Sequence, residues 1–208
     1  MELMAGTTWD LVRGALAVCA PARVDDTVSM RAAVAVVLRE SPSGFEVLFI
    51  RRAEADGDPW SGQMGFPGGR AEPGEDLRTT AIRETAEETG IDLAAHGELL
   101  GQLDEVRAMA RMRPMDLTIT PFVFRLDGPA SFVPNAEVKS VHWLPLDELL
   151  GPGRQSTMEY LHQQEALRFP CLRFDDLVIW GLTYRMFMGL RDRLEAVSAA
   201  ASPQGVAR

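Results

Sequence analysis

Residues 65–91, GFPGGRAEPGEDLRTTAIRETAEETGI, place a glycine- and proline-rich stretch directly before a segment dense in carboxylates. Small and apolar residues recur between the acids, and Gly90 is suited to end a helix in the left-handed conformation. We therefore predict a short strand at QMGFP, a sharp bend, and one helix over residues 75–89. Four acids that we expect to lie close together on this helix are Glu75, Glu84, Glu87 and Glu88.

Three of these acids repel one another on a helix. Glu84 stands three and four residues before Glu87 and Glu88, so the three carboxylates share a face, and each exposed like-charge pair costs roughly 0.2–0.5 kcal/mol. Hard divalent cations would offset that repulsion, because Mg²⁺ takes oxygen ligands from carboxylates and substrate phosphates. Glu75 and Arg83 are spaced to form an ion pair that steadies the bend against the helix. The alternative interpretation is a surface helix with a random excess of acids.

The same residues resemble the Nudix box, which reads glycine, five residues, glutamate, seven residues, then Arg-Glu-apolar-x-Glu-Glu-x-Gly-apolar. Eight of its nine fixed positions match over 23 residues, and the departure is Thr85 at the first apolar position. The matching residues are Gly69, Glu75, Arg83, Glu84, Glu87, Glu88, Gly90 and Ile91. The resemblance implies an α/β fold, an α/β/α sandwich with a mixed central sheet. It also implies Mg²⁺- or Mn²⁺-dependent hydrolysis of a nucleoside diphosphate linked to another moiety.

The resemblance further implies which groups do the chemistry. The candidate metal ligands are Glu84, Glu88, Glu87 and the Gly69 carbonyl. Glu87 is either a third ligand or the group that activates water, and Arg83 is expected to orient the carboxylates. Glu137, just before a predicted strand, fits an acidic position that suits a catalytic base, with a surface acid as the alternative. Divalent ions suit this reaction, because they neutralise diphosphate charge and lower the pKa of bound water.

Three stretches outside the box resemble the coenzyme A diphosphatase branch: VLFIRRA (47–53), SGQMGFPGG (61–69) and IWGLTYRM (179–186). Those enzymes cleave coenzyme A to 3′,5′-ADP and 4′-phosphopantetheine, so the resemblance implies coenzyme A or an acyl-coenzyme A as substrate. The alternatives are ADP-ribose, NADH or a nucleoside diphosphate sugar, or a nucleotide sensor without catalysis.

Four residues are our candidates for binding the substrate: Arg52, Trp60, Gly68 and Arg107. Trp60 would stack on an adenine, close the pocket, or anchor its own loop in the core. That loop, EADGDPWS (54–61), lacks the arginine expected in the coenzyme A branch. Arg107, Arg111 and Arg113 are candidates to replace it.

The rest of the chain predicts one layered domain with short ends. We expect an N-terminal helical extension over 1–30, the Nudix domain over 31–197 and a flexible tail over 198–208. The predicted strands are 31–40, 45–53, 97–106, 117–126, 138–146 and 168–174. The other predicted segments are helices at 8–18 and 177–197, a helical turn at LDELL, and an arginine-rich loop at 107–114.

Composition restricts the partners. The 208-residue chain has a formal net charge of −9, which argues against binding to nucleic acid or to a membrane surface. A bound divalent ion still permits a small nucleotide substrate. Cys19 and Cys171 are too few for a disulfide framework, and no apolar run approaches the roughly 20 residues that cross a bilayer. We therefore predict a cytoplasmic protein, with a homodimer as the assembly common among similar proteins.

Overall fold

The computed structural model describes residues 7–24, 29–58, 60–110, 113–162 and 165–201. Within these residues the strands are β1 (Met30–Ser41), β2 (Gly44–Arg52), β3 (Met64–Gly65), β4 (Gly68–Arg70), β5 (Gly97–Gln102), β6 (Val106–Ala110), β7 (Arg113–Leu126), β8 (Val138–Pro145), β9 (Gln155–His162), β10 (Glu165–Phe174) and β11 (Leu177–Trp180). The helices are α1 (Trp9–Ala17), α2 (Leu77–Thr89), α3 (Leu93–His96), α4 (Leu146–Leu150) and α5 (Gly181–Ala201), with a 3₁₀ turn at Pro152–Arg154.

The main sheet is mixed, as predicted. Its central path runs β3-β2-β1-β7-β5, while β4 pairs with β1, β6 with β7 and β8 with β2. Strands β1 and β7 are parallel, and the other pairings in this sheet are antiparallel. The turn SPSG joins β1 to β2 in the predicted hairpin, with Ser41 opposite Gly44. The apolar run of β1 therefore lies in the middle of the sheet, where both faces are covered.

Helices cover both faces of this sheet and give the predicted sandwich. Successive side chains of a strand point to opposite faces, and β1 divides its apolar residues accordingly. The core shared with α1 and α5 takes Val34, Val36 and Leu38 from β1. The core shared with α2 takes Ala33, Ala35 and Val37 from β1. Ala81 of α2 is fully buried in the second core, so α2 is held directly against β1.

A second, three-stranded antiparallel sheet follows in the order β11-β10-β9. The sequence analysis predicted only part of β10 in this region and did not predict β9. Three aromatic side chains meet on this sheet, Tyr160, Phe169 and Trp180, with ring centroids 5.4 to 6.3 Å apart. The sheet leads directly into α5, and so places this aromatic cluster beside the helix that covers the main sheet.

The prediction of a helix over 75–89 is wrong at its start, because α2 begins at Leu77. Asp76 is the N-cap, and its carboxylate accepts hydrogen bonds from the backbone N–H groups two and three residues later, at 3.0 and 3.3 Å. A side chain used in this way belongs to a residue that is not itself helical. Glu75 consequently lies in the loop before the helix and not on it.

The stretch 107–114, predicted as a loop, is strand in its described part. β6 pairs with the start of β7, with Ala110 opposite Arg113. Arg111 and Met112 lie outside the described residues. Arginines on a two-stranded ribbon can stay exposed. Apolar periodicity alone therefore does not predict this hairpin.

The prediction of a helix over 177–197 is also wrong at its start. The first four residues form β11, in which Trp180 lies opposite Cys171 of β10. Gly181 follows with a φ of 63°, a left-handed conformation that separates the strand from the helix. Trp180 therefore lies at the end of a strand, where it packs with the aromatic cluster.

The ends of the chain are partly described. Thr8 caps α1 as predicted, and its hydroxyl accepts a hydrogen bond from the Leu11 N–H at 3.2 Å. Helix α1, within the predicted 1–30 extension, shares a core with α5. Helix α5 continues to Ala201, into the predicted 198–208 tail, whose remaining residues lie outside the described part. None of the helices in the described part is long and apolar enough to span a membrane.

Candidate active site

Helix α2, which carries Glu84, Glu87 and Glu88, is capped at both ends. Its Asp76 cap satisfies two backbone N–H groups at the start. At the other end Gly90 has a φ of 78° and donates its backbone N–H to the Ala86 carbonyl at 2.9 Å. This is the left-handed cap that the sequence predicts. The helix interior packs on β1, so the acids of its last turns have defined positions.

Arg83 organises the exposed side of this helix. Its guanidinium makes a two-point contact with Glu75, at 2.8 and 3.0 Å, and the pair confirms the predicted link between loop and helix. The same guanidinium donates to Glu84 at 2.9 Å and to Glu87 at 3.2 Å. Hydrogen bonds from Arg83, with help from the Glu72 backbone N–H, lower the pKa of Glu75 to about 2. Arg83 thus contacts Glu75, Glu84 and Glu87, and its role in orienting them for the chemistry stays a prediction.

Glu88 is the most buried of the acids, with 2% of its surface exposed. Its carboxylate accepts the backbone N–H of Gly68 at 2.8 Å, which ties the helix to the glycine bend. Burial raises the pKa of Glu88 to about 7, and the Gly68 hydrogen bond and the charge of Arg52 oppose that rise. A carboxylate so poorly solvated favours either a proton or a cation.

The two glycines of the bend let the backbone pass close to its neighbours. A Cβ atom at Gly68 would lie 2.3 Å from the Ala33 carbonyl oxygen, and one at Gly69 would lie 2.4 Å from the Glu84 carboxylate. Gly69 pairs with Ala33 across β4 and β1, and the absence of a side chain there lets the Glu84 carboxylate lie beside its backbone. Burial raises the pKa of Glu84, while Arg83 opposes that rise.

The acids line a cavity of about 740 Å³, which we call the acidic cavity. It brings together eight of the residues singled out from the sequence: Arg52, Trp60, Gly68, Gly69, Glu84, Glu87, Glu88 and Glu137. Glu137 comes from the turn before β8, and its backbone carbonyl accepts the Ala53 N–H at 2.7 Å. Its negative charge contributes to the raised pKa of both Glu84 and Glu88. Residues far apart in sequence therefore meet at one concave surface.

Asp58 is a cavity residue that the sequence analysis missed. Its carboxylate accepts two hydrogen bonds from the Arg52 guanidinium, at 3.1 and 2.8 Å, and one from the Trp60 backbone N–H at 3.0 Å. The indole N–H of Trp60 donates to the Met109 carbonyl at 3.3 Å, so Trp60 also anchors its loop. An aspartate two residues before a loop tryptophan is the available signal, because aspartates commonly accept the N–H two residues on.

Two candidates lie apart from the acidic cavity. Arg83 is behind the carboxylates and does not line it. Arg107 does not line it either, and its guanidinium donates to the Met115 carbonyl at 3.1 Å on the β6–β7 hairpin. Arg113 is exposed at the start of β7, and Arg111 lies outside the described residues.

The donor set suits a hard divalent cation, since carboxylate and backbone carbonyl oxygens are the atoms that Mg²⁺ and Mn²⁺ prefer. The buried Glu88, with its raised pKa, is the observation that fits a cation best. In the part of the chain that the structure describes, however, no three acidic, histidine or cysteine side chains already stand at metal-binding spacing. Arg83 holds Glu84 and Glu87 instead, so these side chains must turn towards the cavity to act as ligands.

Comparison with known proteins identifies the domain family and several relatives. The NUDIX domain family model matches residues 29–164. A Caenorhabditis elegans protein named peroxisomal coenzyme A diphosphatase ndx-8 is 37% identical over 99 residues, which cover 46% of this chain and 40% of the relative. A Yersinia pestis protein named uncharacterized Nudix hydrolase NudL is 31% identical over 152 residues, covering 72% of this chain and 71% of the relative.

Solved structures show the same fold. A MutT/nudix family protein from Enterococcus faecalis superposes with a TM-score of 0.55 at 19% identity, covering 85% of this chain and 64% of that one. The chain spans about two fifths of the length of the first curated relatives that it matches. Those relatives therefore contain additional sequence, and the activity of each whole protein is a separate question from the fold that they share with this chain.

Proposed function

The chain belongs to the Nudix family, and on that premise we propose that it is a metal-dependent diphosphatase that cleaves a nucleoside-diphosphate-linked substrate. The observation that carries the proposal is the convergence of Glu84, Glu87, Glu88 and Glu137 on one cavity, beside the Gly68–Gly69 bend. Such a cavity is adapted to a cation-bound polyphosphate and not to an anion alone, because its carboxylates would repel a free diphosphate.

We assign the metal to Glu84, Glu88, Glu87 and the Gly69 carbonyl. Bound there, Mg²⁺ or Mn²⁺ would neutralise charge on the diphosphate and make a coordinated water more acidic. The protein's own contribution is to keep these oxygens close to the cavity: the Gly68 N–H holds Glu88, and Arg83 holds Glu84 and Glu87, which would turn from Arg83 to reach a cation. Arg52 lies in the same cavity, where its guanidinium would contact a substrate phosphate after turning from Asp58.

Glu137 is our candidate general base. It is exposed and lines the acidic cavity, and its charge contributes to the raised pKa values of Glu84 and Glu88. In the proposed reaction its carboxylate accepts a proton from the attacking water. A new bond forms between that oxygen and phosphorus, the diphosphate P–O bond breaks, and the departing phosphate takes the electron pair. The role requires a carboxylate within hydrogen-bond reach of the water, directly or through a second water.

Coenzyme A, free or acylated, is the substrate that we propose first. The support is the similarity of residues 47–53, 61–69 and 179–186 to the coenzyme A diphosphatase branch, together with the partial match to the C. elegans coenzyme A diphosphatase. The products would be 3′,5′-ADP and a 4′-phosphopantetheine. Arg52 would contact a phosphate of the substrate. The loop of residues 54–61, which contains Asp58, lacks the arginine expected in this branch.

A substrate panel tests the proposal. The purified full chain is incubated with Mg²⁺, Mn²⁺ or EDTA and with coenzyme A, ADP-ribose, NADH or a nucleoside diphosphate sugar, and products are separated by anion-exchange chromatography. We expect metal-dependent release of 3′,5′-ADP from coenzyme A at the highest kcat/KM. Preference for another nucleotide would retain the chemistry and reject the substrate, whereas no turnover by a folded protein would reject the proposed activity.

We further propose that the enzyme acts in the cytoplasm on small nucleotides. In the described residues Cys19 and Cys171 are both free thiols, which suits a reducing compartment. Size-exclusion chromatography with light scattering will decide between a monomer and a homodimer, and fluorescence microscopy of a tagged chain in its own cells will test the location.

A further inference from the structure

A second cavity, of about 280 Å³, lies next to the acidic cavity, and we call it the aromatic cavity. Its walls come from β6, from all three strands of the small sheet and from the start of α5. The lining residues used in the argument are Trp60, Met109, Tyr160, Phe169, Trp180 and Leu182. The rings of Tyr160, Phe169 and Trp180 pack against one another, so this wall is built from side chains that hold each other in place.

The two cavities share a wall. Trp60, Gln63 and Leu182 line both of them. Trp60 is held in this position by its indole hydrogen bond to the Met109 carbonyl and by the bond from its backbone N–H to Asp58. An apolar cavity therefore adjoins the acidic cavity, with Trp60 in the wall between them.

Most of the aromatic cavity lies outside the part of the chain that matches the family. The NUDIX domain match ends at residue 164, whereas Phe169, Trp180, Leu182 and Tyr184 lie beyond it. The matched part contains the acids of the acidic cavity, although Leu182, Thr183 and Met186 beyond it also line that cavity, and the residues after the match form most of the aromatic cavity. We expect this arrangement if the residues shared by the family carry out the reaction and the residues outside the match select the substrate.

The chemistry of the lining favours an aliphatic group over a nucleobase. The Trp60 indole N–H is bonded to Met109, and the Tyr184 hydroxyl is bonded to the Gln155 side chain at 3.2 Å. Gln63 and Tyr160 also line the cavity and have partners of their own, and Arg185, the charged residue of the lining, is exposed. A buried base edge needs hydrogen-bond partners, while an alkyl chain needs only apolar surface.

We propose that the aromatic cavity is a specificity subsite that takes the aliphatic acyl group of an acyl-coenzyme A whose diphosphate lies in the acidic cavity. The inference rests on the proposed function, because the diphosphate site defines where the rest of the substrate begins. It goes further by naming the residues that distinguish acylated from free coenzyme A. Phe169 and Trp180 form the apolar wall, and the pantetheine arm, which joins the diphosphate to the acyl group, would pass Trp60 between the two cavities.

The first measurement is kcat/KM for coenzyme A and for its acetyl, butyryl, hexanoyl and octanoyl thioesters. Release of 3′,5′-ADP is common to all of them and serves as the readout. Each methylene removed from water adds roughly three- to fourfold to binding, so we expect kcat/KM to rise at least about tenfold from acetyl to hexanoyl. Flat values across the series would overturn the inference.

The second measurement compares Phe169→Ala with Leu167→Ala. Both residues lie on β10, but Leu167 does not line the aromatic cavity. We expect Phe169→Ala to lower kcat/KM for hexanoyl-coenzyme A by about tenfold and to change the value for free coenzyme A less than twofold. Leu167→Ala should leave the ratio of the two unchanged. An equal loss on both substrates in Phe169→Ala would place a shared group, such as the adenine, in the cavity and overturn the assignment.

A binding experiment separates this inference from the proposed activity. Isothermal titration in EDTA measures the affinity for hexanoyl-coenzyme A and for coenzyme A without turnover, in the wild type and in Trp180→Leu. A preference for the acylated form that Trp180→Leu abolishes supports the subsite even if no hydrolysis is found. Equal affinities in the wild type would overturn it even if the protein hydrolyses another nucleotide. Circular dichroism confirms that each variant is folded.

Discussion

Replacing Glu88 by glutamine should stabilise the metal-free protein at alkaline pH. Glu88 is 2% exposed, and burial raises the pKa of its carboxyl to about 7 from an ordinary value of 4.5. Ionisation therefore favours the unfolded chain, where the carboxylate is hydrated. Glutamine has nearly the same shape, and its side-chain oxygen can still accept the Gly68 N–H that now bonds to Glu88 at 2.8 Å.

The magnitude follows from the difference between the two pKa values. Each pKa unit corresponds to about 1.4 kcal/mol, so the rise from 4.5 to about 7 is equivalent to about 3 kcal/mol. Because the pKa of Glu88 is higher in the folded protein, its contribution to stability is complete below pH 4.5 and is lost as the pH rises through 7. Between pH 5 and pH 8 the wild type should lose about 2–3 kcal/mol of unfolding free energy through this group.

Urea unfolding in EDTA, followed by circular dichroism at pH 5 and pH 8, measures the effect. We expect the free energy of unfolding of Glu88→Gln, relative to wild type, to be about 2–3 kcal/mol more favourable at pH 8 than at pH 5. Glu87→Gln is the matched control, because the Glu87 side chain is 54% exposed and bonded to Arg83. Equal differences at the two pH values would refute the argument from burial, as would the same pH dependence in the control.

Three further outcomes follow from the same geometry. Glu84→Gln should lower metal-dependent turnover by about a hundredfold or more while the fold is retained, as measured by steady-state kinetics beside circular dichroism, and wild-type activity would reject Glu84 as a ligand. Glu75→Gln should cost about 1–2 kcal/mol of unfolding free energy at pH 7, because it breaks the two-point contact with Arg83. Since the pKa of Glu75 is lowered to about 2, that loss should shrink as the pH falls below 4.5 towards 2, and urea unfolding across this range will show whether it does. Gly68→Ala should lower the thermal midpoint, because the new Cβ would lie 2.3 Å from the Ala33 carbonyl, and an unchanged midpoint would mean that the bend adapts.

The local features of the acidic helix could be predicted from sequence because short-range physics determines them. Gly90 ends α2 in the left-handed conformation, and Arg83 is close enough along the chain to reach Glu75. The start of the helix was misplaced because Asp76 and Glu75 are both acidic, and only the N-cap geometry distinguishes them. The error of two residues places Glu75 on the helix and not in the loop where it lies, but its contact with Arg83 is as predicted.

The aromatic cavity could not be predicted, because its walls are far apart in the chain. Met109 lies in a stretch read as a charged loop, Tyr160 in a strand that had no distinct apolar period, and Trp180 in an apolar run read as helix. The run LVIWGLTYRM contains no change of composition where β11 ends. The sequence signal for the end of β11 is Gly181, which adopts a φ of 63° in the structure. A single glycine within an apolar run also occurs in helices, so this signal alone does not predict the boundary.

The balance of charge in the acidic cavity explains why a cation and an anionic substrate would have to bind together. Glu84, Glu87, Glu88 and Glu137 line the cavity with Asp58, whereas Arg52 and Arg70 are its arginines and Arg52 is already paired with Asp58. A diphosphate alone would add negative charge to this surface, and a cation alone would leave coordination positions to water. Together they offset each other in a partly buried site, where Coulomb interactions are stronger than in water.

Affinity for an uncleaved nucleotide should therefore rise steeply with Mn²⁺, and the affinity for Mn²⁺ should rise by the same factor with the nucleotide. Titrations of ADP in EDTA and in Mn²⁺, and of Mn²⁺ with and without ADP, give the two factors after correction for Mn²⁺–ADP binding in solution. Independent binding of the two would contradict this account of the cavity.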